Sequence, residues 1–101
     1  MKALKTLSIQ GCTGLTEDID LTDCTDIEQV DASGTTVNVI IPDGSKITKY
    51  ELGTPTSVSL VNPTVINPTN VIVDSHANMA SLNLIGIPNN KSYAMFYKIM
   101  S

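Results

Sequence analysis

Arginine and tryptophan are absent from the chain, and only four aromatic residues occur in all. Charged residues make up 16% of the 101 positions, well under the roughly 25% of an ordinary soluble domain. No basic residue falls between Lys5 and Lys46, and the formal net charge is −4. A nucleic-acid surface needs a basic footprint for phosphates, so nucleic acid is not an expected partner. No apolar run approaches the roughly 18 residues of a membrane span, so membrane insertion is not expected either. The segment Met1-Lys2-Ala3-Leu4-Lys5 turns polar too soon for a signal-peptide core, which places any secretory signal outside this chain. Phosphate-loop, dinucleotide and zinc-protease motifs are missing, and no cofactor is expected. Two cysteines are too few for a disulfide-dense scaffold.

What the chain does contain is β-forming residues and turn chemistry. Val, Ile and Thr supply 31 positions, and 42% of the chain is hydrophobic, enough for one core. Self-similarity organises these residues. Leu4-x-x-Leu7-x-Ile9-x-x-Cys12-x-x-Leu15 sets a template. It returns as Ile19-x-Leu21-x-x-Cys24-x-x-Ile27 and as Ile27-x-x-Val30-x-Ala32-x-x-Thr35-x-Val37, with Thr35 in the place of the cysteine. Ile47-x-x-Tyr50-x-Leu52 and Met79-x-x-Leu82-x-Leu84-x-x-Ile87 keep the same spacing.

The units within these phrases are alternating apolar pairs, the signature of short half-buried strands. In order they are Leu7/Ile9, Ile19/Leu21, Val30/Ala32, Val37/Val39, Tyr50/Leu52, Val58/Leu60, Val71/Val73 and Leu82/Leu84. Starting positions 7, 30, 50 and 71 form one series and 19, 37, 58 and 82 the other, with steps of 18 to 24 residues. Adjacent pairs lie too close together for intervening helices. The spacing predicts an all-β, flattened solenoid of about four coils of 20–24 residues, with short strands on two sides, rising about 4.8 Å per coil. Coil boundaries fall near 4–27, 27–47, 47–70 and 71–90, within a single repeat domain spanning 1–101 that belongs to a larger protein or assembly. Gly11, Gly14, Gly34, Asp43-Gly44, Gly53-Thr54-Pro55 and Pro88-Asn89-Asn90 all fall between the pairs, where turns are required. Residues 91–101 read as a terminal strand or a short helix that closes the stack, with Tyr93, Phe96 and Tyr97 covering its open end; the alternative is that these rings contact a following domain.

The phrasing of residues 4–37, with Cys12 and Cys24 at the position usually given to Asn or Cys, resembles the leucine-rich repeat superfamily. The short Thr/Ser-rich coils are similar to irregular repeat domains of gut-bacterial surface proteins and their tailed phages. Ser8-Ile9-Gln10-Gly11-Cys12-Thr13-Gly14-Leu15, Asp20-Leu21-Thr22-Asp23-Cys24-Thr25-Asp26-Ile27 and Val30-Asp31-Ala32-Ser33-Gly34-Thr35 carry this likeness. Residues 61–78 depart from it through Asn62-Pro63-Thr64 and Asn67-Pro68-Thr69. The resemblance implies a non-enzymatic repeat module within a larger assembly.

Each chemically suggestive group has an ordinary structural reading beside it. Cys12 and Cys24 fit small buried thiols at the turn after a strand. Glu17, Asp18, Asp20, Asp23, Asp26, Glu28 and Asp31 form an acidic stretch without EF-hand spacing, and fit a solvated rim better than a calcium site. Asp74-Ser75-His76 holds the residue types of a hydrolase triad, but sequence neighbours rarely converge and no GxSxG motif accompanies them; a polar turn is expected. No catalytic, metal or cofactor residue is therefore assigned.

Strand alternation points Ser8, Asp31, Glu51 and Ile72 outward on one side, and Asp20, Asn38, Ser59 and Asn83 on the other. The candidate interaction surface is Asp20, Asp31, Glu51, Ile72, Tyr93, Phe96 and Tyr97, with protein partners meeting the solenoid ends or a sheet face. The functional expectation is a structural or assembly domain of a phage virion, associated with the tail. The alternative is a protein- or glycan-binding adhesion module at a bacterial surface, extracellular in location. An enzyme is the remaining class; its activity would have to vanish with His76→Ala.

Overall fold

The computed structural model describes residues 3–100; Met1, Lys2 and Ser101, the outer ends of the predicted first segment and of the predicted cap, lie outside the described residues. The alternating pairs become strands: β1 Thr6–Ser8, β2 Ile19–Asp20, β3 Gln29–Ala32, β4 Val39–Ile40, β5 Lys49–Leu52, β6 Ser57–Val61, β7 Val71–Val73 and β8 Ser81–Ile85. Helix α1, Asn89–Met100, closes the chain. The strands coil into a parallel β-solenoid of about four turns, and the molecule is 18 Å across its thinnest direction.

One wall is a continuous parallel sheet in the order β1-β3-β5-β7. Its register runs Leu7↔Val30, Val30↔Tyr50 and Tyr50↔Val71, the series read from the alternating pairs. Apolar side chains one coil apart therefore stack inward, and Val30, Ala32, Tyr50, Leu52 and Val71 are fully buried. Their removal from water drives the stacking, at about 1.5–3 kcal/mol for each large side chain.

The opposite wall is not continuous. β2 pairs with β4 and β6 pairs with β8, but no ladder joins β4 to β6. The register Ile19↔Val39 corrects the expected pairing of Ile19 with Val37 by two residues. Val37, Val39 and Ile41 all point inward and all are buried, so alternation alone allows either match.

The break has a specific cause. The amides of Ile19 and Leu21 take the carbonyls of Asn38 and Ile40, at 2.9 and 2.7 Å. The Val39 carbonyl between them faces away from β2, towards the third coil. There it accepts a hydrogen bond from the hydroxyl of Tyr50, whose side chain enters the core from the other wall. The strand bond is replaced by a side-chain plug. On either side of the plug the coils are tied differently. The Asn38 side-chain oxygen accepts from the amides of Thr56 and Ser57, its Nδ2 donates to Thr56 Oγ1, and the Gly44 amide donates to Val61 O at 2.9 Å. Burial also pushes the Tyr50 phenol well above its ordinary pKa, so it stays a neutral donor.

Corners set the coil-to-coil distance. A Cβ at Gly53 would lie 2.1 Å from the Thr35 carbonyl oxygen and 2.6 Å from the Thr35 amide nitrogen, both backbone atoms that cannot swing aside. Gly53→Ala is expected to lower stability by about 1–3 kcal/mol or more through overpacking. Gly14→Ala, where a Cβ meets nothing within 4 Å, is the control and should be nearly neutral in the same urea titration.

The proline-rich departure at residues 61–78 is a rerouted corner. Pro68–Asn70 form a 3₁₀ turn capped by Asn67, whose Oδ1 accepts from the Thr69 amide and hydroxyl at 3.1 and 2.9 Å. This turn delivers the chain to β7, and α1 lies against both. Met95 and Ile99 are the buried residues of α1, so the helix covers the β7 side of the fourth coil, while Leu82 and Leu84 of β8 stay half-buried. Tyr93, Phe96 and Tyr97 do not cover the open end as expected. They face solvent, at 65%, 45% and 71% exposure, because the i, i+4 pair Met95/Ile99 takes the inner face.

Candidate functional site

The parallel register brings part of the predicted surface together. On the outer face of the first sheet, Ser8, Asp31, Glu51 and Ile72 are successive neighbours in one column. Lys49, absent from the sequence reading of this surface, sits beside it. Its ammonium lies 3.7 Å from Asp31 Oδ2 and 3.5 Å from Glu51 Oε2. The signal was available in principle, since Lys49 precedes Glu51 by one strand repeat and so shares its face. The Ser33 hydroxyl and amide both donate to Asp31 Oδ1, at 2.7 and 3.1 Å. Asp31 is held below its ordinary pKa chiefly by the Ser33 hydroxyl, with the Lys49 charge adding to the effect.

Asp20 stands apart from this column, on the other wall. It accepts from the Thr22 amide at 3.0 Å, and this bond lowers its pKa. The two-residue register correction puts Ile40, not Asn38, beside Asp20. Ile40 is 43% exposed, while Asn38 spends its amide group on the third coil. Alternation read two residues out of step hid this apolar spot.

The Asp74 and Ser75 side chains of the predicted polar turn are engaged in turn contacts. Asp74 Oδ2 reaches past the side-chain-free Gly53 to accept from the Gly34 amide at 3.0 Å. Ser75 Oγ accepts from the Ala77 amide at 3.2 Å, and the Met79 amide donates to the His76 carbonyl at 3.0 Å. Asp74-Ser75-His76 is thus a polar corner. Among the described residues no three His, Cys, Asp or Glu side chains gather where a metal ion could sit. Asp26 pairs with Lys46 at 3.7 Å, away from Asp20 and Asp31.

Both cysteines are free thiols, Cys24 buried and Cys12 exposed. The expectation that both are buried fails at Cys12, because no earlier described coil lies over the first. The template itself is structural: the amides of Cys12, Cys24 and Thr35 donate to the carbonyls of Ile9, Leu21 and Ala32, three residues back in each case. Thr35 adds its own hydroxyl to the Ala32 carbonyl at 2.7 Å, which explains its presence at a buried cysteine position.

No protein-family model, curated protein or solved structure matches this chain.

Exposed apolar side chains occur on the walls, at Ile40, Val65, Ile72 and Ile85, as well as on α1. At one end of the stack, Leu4, Leu7, Ile9, Leu15 and Ile19 of the first coil are only half-buried, where their counterparts in the middle coils are closed over. Residues 14–19 line a shallow open depression there. At the other end, Phe96 and Tyr97 meet edge-to-face with ring centroids 6.0 Å apart, next to Tyr93 on the outer face of α1. No helix among the described residues is long and apolar enough to cross a membrane.

Proposed function

We propose that the chain is a non-enzymatic structural module that works by protein–protein contact inside a larger assembly, in a phage virion and associated with its tail. The observation that carries this reading is the placement of apolar surface at both ends of the stack. The first coil leaves five core-type side chains half-covered, and the capping helix turns three aromatic rings outward. Exposed apolar surface such as the ring stripe of α1 marks interaction sites, and a solenoid's ends are where the next layer would stack. The virion assignment is supported by the leucine-rich-repeat-like phrasing of residues 4–37.

A second reading, an adhesion module on a bacterial surface, is favoured by the outer column of the first sheet. There Lys49 bridges Asp31 and Glu51 next to the exposed Ile72, a mixed polar and apolar patch on a flat wall. Quantitative mass spectrometry of purified phage particles separates the two. Recovery of the chain at a fixed ratio to tail proteins is the expected result. Its absence from particles, with recovery from the host envelope, would overturn the virion reading in favour of adhesion.

A further inference from the structure

We infer that Asp43-Gly44 is a latent isoaspartate site, held unreactive in the folded chain by Val61 and Asn62 of the third coil and released when that corner opens. The inference goes beyond the assembly reading and does not depend on it.

Asp43-Gly44 is the only Asp-Gly or Asn-Gly step in the sequence. Glycine places no Cβ beside its amide, so it hinders attack of that nitrogen on the preceding side chain least of all residues. The Gly44 nitrogen gives up its proton and bonds to Asp43 Cγ, and the carboxyl group releases water. A five-membered imide closes. Water then returns at one of the two imide carbonyls. Entry at Cγ restores aspartate. Entry at the main-chain carbon breaks the original peptide bond and routes the backbone through Cβ and Cγ, one carbon longer, with no net change of composition. No cofactor, oxidant or reductant takes part.

The fold holds both reactants. The Gly44 amide donates to the Val61 carbonyl at 2.9 Å, so its proton is engaged. Asp43 Oδ1 accepts from Asn62 Nδ2 at 3.1 Å, which fixes the carboxylate. Asn62 is placed in turn by the fourth coil. Its amide donates to Ile85 O at 2.8 Å, and its side chain lies against Gly86, where a Cβ would come within 1.9 Å of Asn62 Oδ1. Among the described residues Asn62 is the one non-glycine with a positive φ, 49°, a conformation that asparagine tolerates. Asp43 is exposed, so water reaches the imide once it forms. The added backbone carbon shifts the Gly44 amide away from Val61, a bond that helps close the wall between β4 and β6. Isomerisation is therefore a one-way loosening of that wall.

Incubating the full chain at neutral pH, folded and in urea, tests this, with isoaspartate at residue 43 quantified by peptide mapping and electron-transfer fragmentation. In urea, residue 43 is expected to isomerise faster than any other aspartate. In the folded chain it should react about tenfold more slowly or less, because two hydrogen bonds must open first. Asn62→Gly keeps the positive φ and removes the side chain. It should react roughly fivefold faster than folded wild type, the effect of losing one ordinary hydrogen bond. Asn62→Asp keeps the shape but lacks the Nδ2 donor, and replaces it if circular dichroism shows that Asn62→Gly does not fold. The isomerised fraction, separated from its parent, should unfold at lower urea.

Equal rates in the folded and urea-unfolded wild type overturn the inference, as does an unreactive residue 43 in urea. So do folded Asn62 variants that react no faster than wild type. An unchanged urea midpoint for the isomerised chain overturns the loosening.

Discussion

Leu21→Asp is expected to remove most of the protein's stability, while Ser59→Asp leaves it nearly unchanged. Leu21 is 2% exposed and belongs to the single apolar cluster that runs between the walls. A carboxylate there has no cationic partner in that cluster, and burying it unpaired costs upwards of about 4 kcal/mol. A domain of this size holds only about 5–15 kcal/mol in total. Val39→Asp should behave like Leu21→Asp, since Val39 is 4% exposed. Ser59 occupies an outward position on β6 and keeps contact with water. Urea denaturation followed by circular dichroism reads the difference directly. Equal midpoints for Leu21→Asp and Ser59→Asp would mean that the inward and outward faces are wrongly assigned.

Tyr50→Ala should cost about 3–5 kcal/mol, the range for emptying a fully buried aromatic site. Tyr50→Phe is the more informative change. It keeps the ring and leaves the Val39 carbonyl without its donor, at about 1–3 kcal/mol. The phenol also makes stability depend on alkaline pH. In the unfolded chain Tyr50 loses its proton near pH 10, and in the folded chain burial holds the proton to higher pH. Above about pH 10 the unfolded state therefore binds fewer protons than the folded one. Stability falls as pH rises, by up to about 1.4 kcal/mol per pH unit from this group. Below that pH the group contributes no slope. The gap between wild type and Tyr50→Phe should be constant from neutral pH to about 10 and narrow above it. A gap independent of pH to the alkaline limit would place the hydroxyl in water.

These two residues also show what the sequence made legible and what it did not. Leu7, Val30, Tyr50 and Val71 stack in the register that their spacing implies, because a period of two with one buried face leaves few alternatives on that wall. On the other wall Val37, Val39 and Ile41 offer three inward positions for two strand residues. The choice among them is made by long-range partners: the Asn38 side chain on the third coil and the Tyr50 hydroxyl on Val39. Neither contact leaves a periodic trace. At the chain's end the cap is legible as a segment, but its inner face is not, since Tyr93, Phe96 and Tyr97 read both as a cover for the open end and as an exposed contact surface. The helix instead turns the slimmer Met95 and Ile99 inward, against β7 and the 3₁₀ turn. Of the candidate surface, Asp31, Glu51 and Ile72 do share a column. Asp20 stands on the opposite wall, and the three rings gather at the end of the stack.

The plug at Tyr50 divides the molecule mechanically. Along one wall the strands run unbroken, like the spine of a book. Along the other the pages are bound two and two, with one phenol, one asparagine side chain and the corner bond from Gly44 to Val61 holding the middle opening shut. Strain applied across the stack concentrates at that opening, where side-chain bonds replace a ladder, and the spine is left as the line about which the first two coils can turn against the last two.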